Sequence, residues 1–553
     1  MTIAALAGAA WMSANAGSYW RYRSALADPE AAQWAVLQQC VRANAGTDFG
    51  RAHGFAEIRS IDAYRARVPV SSYADVEPAI GDIASGRLNV LTRDRVRTLA
   101  LSSGSVSAAK HIPFTRTLQK EFRRAVAPWL VDLYRRHPSL VSGCSYWSIT
   151  PVAQERRAEP GRPPVGFEED SEYLGAAWKR IVDATLAVPG AVRWVRDVET
   201  FRYVTLLFLL HRRDLSLISV WHPSFLTLLL DGLAAHWSSL VDDVRQGTIL
   251  APRPLGGEIE QRLRARLRPR PRRAAELAAL GPGQLTRIWP RLGLVSCWGD
   301  AHARAQLAAV ERILPGVLIQ PKGLLATEAV VTIPFEGRTP LAIRSHFFEF
   351  FRDGRAYLAH QLEPGTPYSV VVTTGGGLYR YQLDDLVEVN GYAERTPSLT
   401  FLGKADHVSD LYGEKLNESF VARALDEACR QAGVAPRFAL LAPDCARATP
   451  GYTVYLECEA PPASLGARLE ASLGCNPHYL YCRSLGQLAP VRVFHSQVPM
   501  WPLYLARCVQ RGQRLGDIKP LALSTSDGWS SVFMGSYCTA DAGVDSPPVA
   551  TLS

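Results

Sequence analysis

The stretch FLGKADHVSDLYGEKLNESFVARALDEACRQAG (401–433) contains the clearest change of pattern in the chain. Before it, from 290 to 405, short apolar segments alternate with turns, which is typical of β-strands. Its second half has the helical spacing of apolar residues and ends at Gly433, a residue type that commonly terminates helices. The apolar positions of this predicted helix are Phe420, Val421, Ala424, Leu425 and Ala428.

The residues that follow this helix predict a small domain of their own. FALLAPD (438–444) and GYTVYLECEA (451–460) have the composition of strands. A helix and strands with their own apolar residues can build a separate core. We therefore predict a large N-terminal domain of residues 1–404 and a small C-terminal α+β domain of residues 405–553.

Toward the N-terminus the chain contains both helical and strand-like segments. Residues 18–70 have helical periodicity, and residues 173–250 are typical of several amphipathic or buried helices. Between these regions, a strand-like stretch at 88–101, a loop of small residues and a helix at 115–136 follow one another. Together these segments predict an α/β protein.

The composition is that of a folded globular chain. Of the 553 residues 47% are apolar and 20% charged, and aromatic side chains are plentiful, which excludes disorder and coiled coil. The formal net charge of +9 is mild for this length, so it permits anionic ligands such as nucleotides without demanding a nucleic-acid partner. Because only 7 of the 61 basic residues are lysines, each lysine is a candidate for inspection.

Cysteine usage and hydropathy predict a cytoplasmic protein. The ten cysteines form no CxxC pair and no metal-like spacing with histidine, which indicates a reduced chain without zinc. The most apolar runs, 203–210 and 217–237, are separated or interrupted by polar residues and proline, so we predict no membrane span. The opening MTIAALAGAAWMSANAG lacks a basic start, so secretion is not expected.

A loop of hydroxyl and small residues, SSGSVSAAK (102–110), follows the predicted strand. Small side chains let backbone N–H groups approach an anion closely, and the terminal lysine adds a positive charge. The loop is not a Walker A sequence, and taken alone it is better interpreted as an ordinary serine-rich turn.

Two further segments place carboxylates beside turns or strands. LLATE (324–328) offers one hydroxyl and one carboxylate, which suit a phosphate contact and a Mg²⁺ ligand. YRYQLDD (379–385) ends an aromatic and basic strand with carboxylates that could hold a ribose diol. GKAD (403–406) and GEKLNE (413–418) come next.

In this order and at these distances, the segments resemble the acyl acid amido synthetases of the auxin-responsive Gretchen Hagen family. That family is a branch of the adenylate-forming superfamily, which includes acyl-CoA synthetases, adenylation domains and luciferases. The resemblance covers nearly the whole chain. It is carried by GTDFGRAHGF (46–55), VPVSSYADVEPAI (68–80), SSGSVSAAKHIPFT (102–115), ISVWHPSFL (218–226), KGLLATEAVVTIP (322–334), YRYQLDDLVEVNGY (379–392), FLGKADHVSDLYGEKLNE (401–418), NPHYLYCRSLGQLAP (476–490) and RGQRLGDIKPLAL (511–523).

The resemblance implies a fold and a set of residue roles. The fold is α/β: a large N-terminal adenylate-forming domain with mixed β-sheets flanked by helices, joined by a hinge to the small C-terminal domain. Thr327 would contact the α-phosphate of ATP, Glu328 would hold Mg²⁺ and Asp385 would bind the ribose hydroxyls. The loop over the ATP phosphates would be formed by Ser102, Ser103, Gly104 and Ser105.

Two lysines also receive roles from the resemblance. Lys404 lies at the implied hinge, where the superfamily commonly has arginine. Lysine keeps the positive charge but lacks the paired N–H donors with which a guanidinium binds a carboxylate or phosphate. Lys519, in GDIKP, is similar to the C-terminal-domain lysine that bridges the substrate carboxylate and the α-phosphate during adenylation. The sequence departs from the family pattern at Val106, Ala108, Ala329 and Asp384, which leaves a weakened activity open.

The implied reaction uses ATP and Mg²⁺ to adenylate a small carboxylic acid, and an amino acid then takes the acyl group as an amide. The expected partners are these two substrates, with no specific nucleic acid, no membrane and a monomeric chain. Tyr146, Trp147, Tyr173 and Trp221 lie in segments that the resemblance brings near the acyl pocket, although core packing explains aromatic residues equally well. The identity of the acid and of the amino acid is left open.

Two other functions stay open. The same adenylation could serve a coenzyme A or carrier-protein thiol as acceptor. A different class of protein would use the arginine-rich stretch at 262–273 to contact nucleic-acid phosphates. No aromatic residues accompany those arginines, so a solvated helix end running into a surface loop is the favoured interpretation of this stretch.

Overall fold

A computed structural model describes the chain over residues 3–102, 110–149, 162–165, 185–300, 303–404, 408–412, 414–511, 513 and 518–538. The chain divides into two compact units. The first unit consists of residues 1–104, 109–383 and 387–401, and the second of residues 105–108, 384–386 and 402–553. Residues 384–386 belong to the second unit, although the strand that contains them, Tyr381–Ala393, lies mostly in the first unit.

The described helices of the first unit lie between residues 3 and 313. They are α1 Ile3–Ala25, α2 Pro29–Asn44, α3 Asp48–Ala52, α4 Ile61–Arg67, α5 Tyr73–Ala84, α6 Arg116–Arg136, α7 Val198–His211, α8 Pro223–Gln246, α9 Gly257–Arg264, α10 Pro271–Leu280, α11 Leu285–Ile288 and α12 Ala303–Ile313. Side-chain caps define several starts. The Thr115 hydroxyl accepts the N–H of Leu118 at 3.1 Å before α6, and the Asp197 carboxylate accepts the N–H of Thr200 at 2.9 Å before α7.

The strands that begin between residues 98 and 396 form three sheets. They are β1 Thr98–Ser102, β2 Lys110–Phe114, β3 Cys144–Trp147, β4 Leu215–Ser219, β5 Leu294–Cys297, β6 Leu318–Pro321, β7 Phe347–Arg352, β8 Arg355–Tyr357, β9 Pro367–Thr373, β10 Tyr381–Ala393 and β11 Thr396–Lys404. β1 and β2 form an antiparallel pair, and β3, β4, β5 and β6 form a parallel sheet in that order. The third sheet has the order β11-β10-β9-β7-β8.

The parallel sheet has a core of its own. All residues of β4 and β5 are buried, as expected for strands covered on both faces. Helices α7 and α8 pack against each other beside this sheet and contribute buried side chains such as Leu207 and Leu229. Because the four strands are parallel, their carboxyl ends lie at one edge, where ligands of open α/β sheets commonly bind.

A second core joins α1 and α6 to the five-stranded sheet. Tyr19 and Tyr22 of α1 are buried against Phe335, with ring centroids 5.2 and 5.0 Å apart. The Tyr22 hydroxyl donates to the carbonyl of Leu341 at 2.8 Å. The N-terminal segment is therefore a packed helix of the first unit.

The second unit contains a four-stranded sheet and four helices within its described residues. Its elements are β12 Val408–Ser409, β13 Leu416–Asn417, α13 Glu418–Ala432, β14 Phe438–Asp444, β15 Gly451–Glu457, α14 Leu465–Leu473, α15 Pro477–Ser484, β16 Arg492–Ser496, α16 Trp501–Gln510 and β17 Ser536–Tyr537. The sheet order is β14-β15-β16-β17, with only the β15–β16 pair parallel. The Asn417 side chain caps α13, and Gly433 ends it with φ of 68°.

The predicted helix at the change of pattern and the two strands after it are confirmed by α13, β14 and β15. The helix predicted at 115–136 is confirmed by α6. Within 173–250 the prediction of helices is confirmed by α7 and α8, but it missed β4, which lies between them. Five consecutive buried residues have no alternation, so sequence periodicity does not separate such a strand from a buried helix. Residues 173–184 lie outside the described part.

The arginine-rich stretch has the structure of a solvated helix end. Arg262 and Arg264 form ion pairs with Glu258 and Glu260 one turn earlier on α9. Arg273 is buried and donates to the carbonyls of Leu210 and Ile288 at 3.0 and 2.7 Å. The remaining arginines of the stretch are exposed. No helix in the described residues is long and apolar enough to cross a membrane.

Candidate active site

The predicted phosphate loop connects two paired strands. Ser102, the last residue of β1, is paired in register with Lys110, the first residue of β2. The residues between them include Ser103, Gly104 and Ser105, which lie outside the described part of the chain, as do Val106 and Ala108. The strand pairing thus holds the two ends of this loop together.

The lysine end of the loop is held against an aromatic ring. The ammonium of Lys110 lies 5.8 Å from the ring centroid of Tyr73, and the N–H of His111 donates to the Tyr73 hydroxyl at 2.9 Å. Burial raises the pKa of Tyr73, so this hydroxyl is neutral near pH 7. Contacts with Tyr73 therefore hold the Lys110 end of the loop in a defined position.

Thr327 and Glu328 lie at the tip of a tight turn in the first unit. An antiparallel bridge joins Leu325 to Val330, and the N–H of Ala326 donates to the carbonyl of Ala329 at 2.9 Å. Glu328 is 7% exposed. Its side chain makes no hydrogen bond or ion pair to another described residue. A largely buried carboxylate without a partner among the described residues can bind a cation that a ligand brings.

A buried hydrogen-bonded chain fixes the base of this turn. The N–H of Val330 donates to Nε2 of His346 at 3.2 Å, and Nδ1 of His346 lies 3.1 Å from Oε2 of Glu121. Since Nε2 accepts a hydrogen bond, the ring proton is on Nδ1 and is donated to Glu121. The Glu121 carboxylate also accepts the N–H of Gly375 at 3.0 Å. His346 and Glu121 were not identified from the sequence, because nothing in their spacing joins them.

Asp385 and Lys404 form an ion pair within the second unit. Nζ of Lys404 lies 2.8 Å from Oδ1 of Asp385, and the side chains are 34% and 3% exposed respectively. The two residues are on β10 and β11, which are neighbours in their sheet. The predicted ribose ligand and the predicted hinge lysine are thus direct partners, which the sequence did not indicate.

The residue just before the strand that carries Asp385 is strained but well anchored. Arg380 has φ of 46° and donates to both oxygens of Glu349, at 2.8 and 3.2 Å. It also donates to the carbonyl of Val68 at 2.7 Å. Both partners of this ion pair are buried. The arginine of YRYQLDD therefore has a structural role in the first unit.

Lys519 is an exposed side chain on a segment that is held through its backbone. The Tyr504 hydroxyl donates to the carbonyl of Lys519 at 3.1 Å. Tyr504 is 2% exposed and stacks on Trp501 and Trp529, with centroids 5.4 and 5.3 Å apart. Three residues farther on, the N–H of Ala522 donates to Glu418 at 3.3 Å.

The sequence-predicted residues are thus distributed over both units. Ser102, Thr327 and Glu328 lie in the first unit, whereas Asp385, Lys404 and Lys519 lie in the second. Across the described ranges, no group of three or more His, Cys, Asp or Glu side chains could hold a metal ion by itself.

Comparison with known families identifies the class. Residues 20–319 match the GH3 family N-terminal domain, residues 339–404 the GH3 family central domain, and residues 419–527 the GH3 family C-terminal domain. The three regions occur in this order and cover most of the chain. The chain therefore belongs to the GH3 family, the Gretchen Hagen family of acyl acid amido synthetases that the sequence motifs resemble.

Individual relatives have low sequence identity to this chain but match it over most of its length. The chain is 23% identical over 462 residues to the indole-3-acetic acid-amido synthetase GH3.8 of Oryza sativa subsp. indica, covering 77% of this chain and 75% of the relative. It is 23% identical over 425 residues to the jasmonoyl--L-amino acid synthetase JAR4 of Nicotiana attenuata, covering 72% and 73%. The predicted resemblance is thus confirmed.

Two solved structures share the fold. The AtGH3.15 acyl acid amido synthetase in complex with 2,4-DB has a TM-score of 0.82 at 18% identity, with 94% of this chain and 95% of that chain covered. A 2-hydroxyisobutyryl-CoA ligase in the postadenylation state has a TM-score of 0.51 at 13% identity, with 92% of each chain covered. The predicted α/β fold with mixed sheets flanked by helices is confirmed.

Proposed function

We propose that this chain is an ATP-dependent acyl acid amido synthetase. It adenylates a small carboxylic acid, transfers the acyl group to an amino acid, and releases AMP and pyrophosphate. The observation that carries the proposal is the match of the GH3 N-terminal, central and C-terminal domains in order along one chain. The names of the relatives, which are amido synthetases of indole-3-acetic acid and jasmonic acid type, support the same reaction.

The proposed nucleotide contacts come from the family resemblance, and local geometry supports part of them. Ser102, Ser103, Gly104 and Ser105 contact the ATP phosphates from the loop between β1 and β2, and Thr327 contacts the α-phosphate. The pairing of Ser102 with Lys110 supports this role because it holds the loop ends in place, and a hydroxyl at a turn tip is accessible to a ligand. Asp385 accepts hydrogen bonds from the ribose diol through its carboxylate.

Glu328 is the proposed contact to Mg²⁺. Its burial and its lack of a partner among the described residues fit a cation that arrives with ATP. Mg²⁺ prefers oxygen ligands and usually takes one or two carboxylates together with substrate phosphates. When bound, the ion supplies positive charge that screens the phosphate oxygens.

The reaction needs no side-chain nucleophile. In the first step a carboxylate oxygen of the acid attacks the α-phosphorus of ATP, the bond to the β-phosphate oxygen breaks, and pyrophosphate leaves. In the second step the neutral amine of the amino acid attacks the acyl carbon, the carbon–oxygen bond to AMP breaks, and the amine loses a proton. The ammonium of Lys519 stabilises the oxygens between the acid and the α-phosphate during the first step.

Domain movement about Lys404 is part of the proposal. We propose domains of residues 1–404 and 405–553, with the smaller one reorienting between the two steps. The ion pair of Lys404 with Asp385 supports a role in this movement, because the half-buried lysine of the proposed hinge is tied to a buried carboxylate on the neighbouring strand, and that contact resists rotation unless it is replaced. A monomeric chain located in the cytoplasm completes the proposal.

A thiol acceptor is the second candidate function. The fold shared with a 2-hydroxyisobutyryl-CoA ligase favours it, because that enzyme class also passes through an acyl adenylate. The two functions differ only in the second step. Pyrophosphate exchange does not distinguish them, but the product does.

The test is a screen in two stages. A panel of small carboxylic acids is first assayed for acid-dependent ATP–pyrophosphate exchange, with Glu328→Gln as the impaired control. Acids that support exchange are then incubated with ATP and either pooled amino acids or coenzyme A, and the products are identified by mass. Amides confirm the first function and thioesters the second. Absence of exchange with every acid, from a chain that unfolds cooperatively, would refute both.

A further inference from the structure

The carboxyl edge of the parallel sheet carries a cluster of tryptophans around one buried lysine. Trp147 is the last residue of β3, Trp221 follows β4, Trp298 follows β5 and Lys322 follows β6. Each of the four parallel strands therefore contributes one member to this strand-end cluster.

The cluster is held together by backbone hydrogen bonds between the strand ends. The N–H of Trp298 donates to the carbonyl of Trp221 at 2.8 Å, and the N–H of Lys322 donates to the carbonyl of Cys297 at 2.8 Å. The rings of Trp221 and Trp298 have centroids 5.6 Å apart. These bonds set the positions of the side chains before any ligand arrives, as a specific binding site requires.

Lys322 is placed on the ring faces. Its ammonium lies 4.6 Å from the centroid of Trp221 and 5.6 Å from that of Trp147. The residue is 2% exposed, whereas the three tryptophans are only half-buried. Ring faces attract a cation, so they hold the charge in a position where water does not reach it. A charge removed from water interacts strongly with an oxyanion that is brought to it.

The mechanism proposed above gives this cation no task. It lies five residues before Thr327, and the chain reverses between them at Gly323, where φ is 67°. A Cβ at that glycine would lie 2.8 Å from the carbonyl oxygen of Thr332, so the reversal is tight. Lys322 thus belongs to the sheet edge, whereas Thr327 and Glu328 belong to the turn that follows.

We propose that Lys322 determines the class of acid that this chain adenylates, and that the class is a flat acid with a second anionic group. The half-buried tryptophan faces of the strand-end cluster receive the flat body of the acid. The ammonium of Lys322 pairs with the second oxyanion, while the reacting carboxylate remains free for the α-phosphate of ATP. This inference rests on the proposed adenylation activity and adds the substrate class to it.

The test uses four acids that differ only in the second carboxylate. Benzoate has none, and phthalate, isophthalate and terephthalate carry it in the ortho, meta and para positions. ATP–pyrophosphate exchange gives kcat/KM for each acid with the wild-type chain, Lys322→Met and Lys322→Arg. Lys120→Met is the control, since Lys120 is exposed on α6 and has no proposed role.

The wild-type chain should favour at least one of the diacids over benzoate by tenfold or more. Lys322→Met, which keeps an apolar stem, should lower kcat/KM for that diacid by about 10- to 100-fold, the scale of a lost charged hydrogen bond, and change benzoate less than threefold. Lys322→Arg should keep the preference because it keeps the charge. Lys120→Met should change neither acid.

Several results would overturn the inference. Equal losses for benzoate and the diacids in Lys322→Met would assign Lys322 to folding or to the reacting carboxylate, and a thermal unfolding midpoint separates those causes. Loss of the preference in Lys322→Arg together with Lys322→Met, or a wild-type chain that prefers benzoate, would equally reject it.

Direct binding separates this inference from the proposed function. The quench of tryptophan fluorescence by each acid is titrated without ATP in the same variants. Exchange with benzoate but no diacid preference would leave the proposed function intact and refute the inference. Diacid binding that depends on Lys322, without exchange by any acid, would refute the proposed function and support only the acid-binding role of Lys322. Neither exchange nor binding would refute both.

Discussion

Replacing Lys519 by alanine should separate the two half-reactions. The side chain is exposed, and the segment is anchored through the backbone carbonyl that accepts from Tyr504 at 3.1 Å. Truncation should therefore change the free energy of unfolding by less than about 0.5 kcal/mol. If the ammonium acts on the forming acyl phosphate, adenylation should fall about 10²-fold, equivalent to roughly 2.7 kcal/mol of transition-state stabilisation.

The two steps are measured separately. Acid-dependent ATP–pyrophosphate exchange reports adenylation, and single-turnover consumption of a pre-made acyl adenylate by an amino acid reports the second step. The second step should change less than about fivefold, since the proposed reorientation of the smaller domain removes this ammonium from the reacting atoms before the amine attacks. Lys120→Ala, at an exposed lysine of the first unit, is the matched control and should leave both steps unchanged.

Tyr504→Phe provides a graded version of the same experiment. It keeps the ring stacked on Trp501 and Trp529 and removes only the hydroxyl that holds the Lys519 carbonyl. One neutral hydrogen bond is worth about 1 kcal/mol, so adenylation should fall about fivefold, and again the second step should not. Wild-type rates of both steps in Lys519→Ala, or equally severe losses of both, would refute the assigned role.

Three further substitutions test the nucleotide contacts and the frame beneath them. Asp385→Ala should weaken ATP binding by about 10- to 100-fold in calorimetry, because a buried charged acceptor is lost, and unchanged affinity would remove Asp385 from the site. Glu328→Gln should raise the Mg²⁺ concentration for half-maximal exchange by about tenfold or more, since the amide keeps shape without charge; normal turnover at limiting Mg²⁺ would contradict this. Glu349→Gln should cost about 3–5 kcal/mol in denaturant unfolding by leaving Arg380 buried without its charge partner, and a loss below 1 kcal/mol would show that the pair is dispensable.

Sequence reasoning located the elements that have a clear period or a clear end. Helix α13 combines apolar spacing with a Gly433 terminator, and both signals agree with the structure. Strand β4 had no such signal, since five buried residues in a row are compatible with strand or helix. Its existence follows from its parallel neighbours β3 and β5, and such pairing is a long-range property that local patterns do not contain.

In the candidate site, too, some features were predictable from the sequence and others were not. The motif residues Thr327, Glu328 and Asp385 could be named from their segments because a resemblance assigns roles position by position. The ion pair between Asp385 and Lys404 could not, because it joins positions on two strands of a sheet. Lys322 is the stronger case: its partners Trp147 and Trp221 are more than 100 residues away in sequence, and only the parallel sheet brings them together.

Two departures from the family pattern, Asp384 and Ala329, replace glycine, so the backbone conformation at these positions decides whether they cause strain. Asp384 stands where the family has glycine and has φ of 58°, a left-handed conformation that aspartate tolerates better than most residues. Ala329, also at a glycine position, is fully buried and is not among the described non-glycine residues with positive φ, so no strain arises there. Neither position therefore requires glycine in this chain, since aspartate tolerates the left-handed conformation at 384 and Ala329 does not adopt it. What remains for Asp384 is its charge beside the Asp385–Lys404 pair. Because that charge can be removed without changing the backbone, Asp384→Asn should preserve the fold while raising ATP affinity, if the second carboxylate repels phosphate.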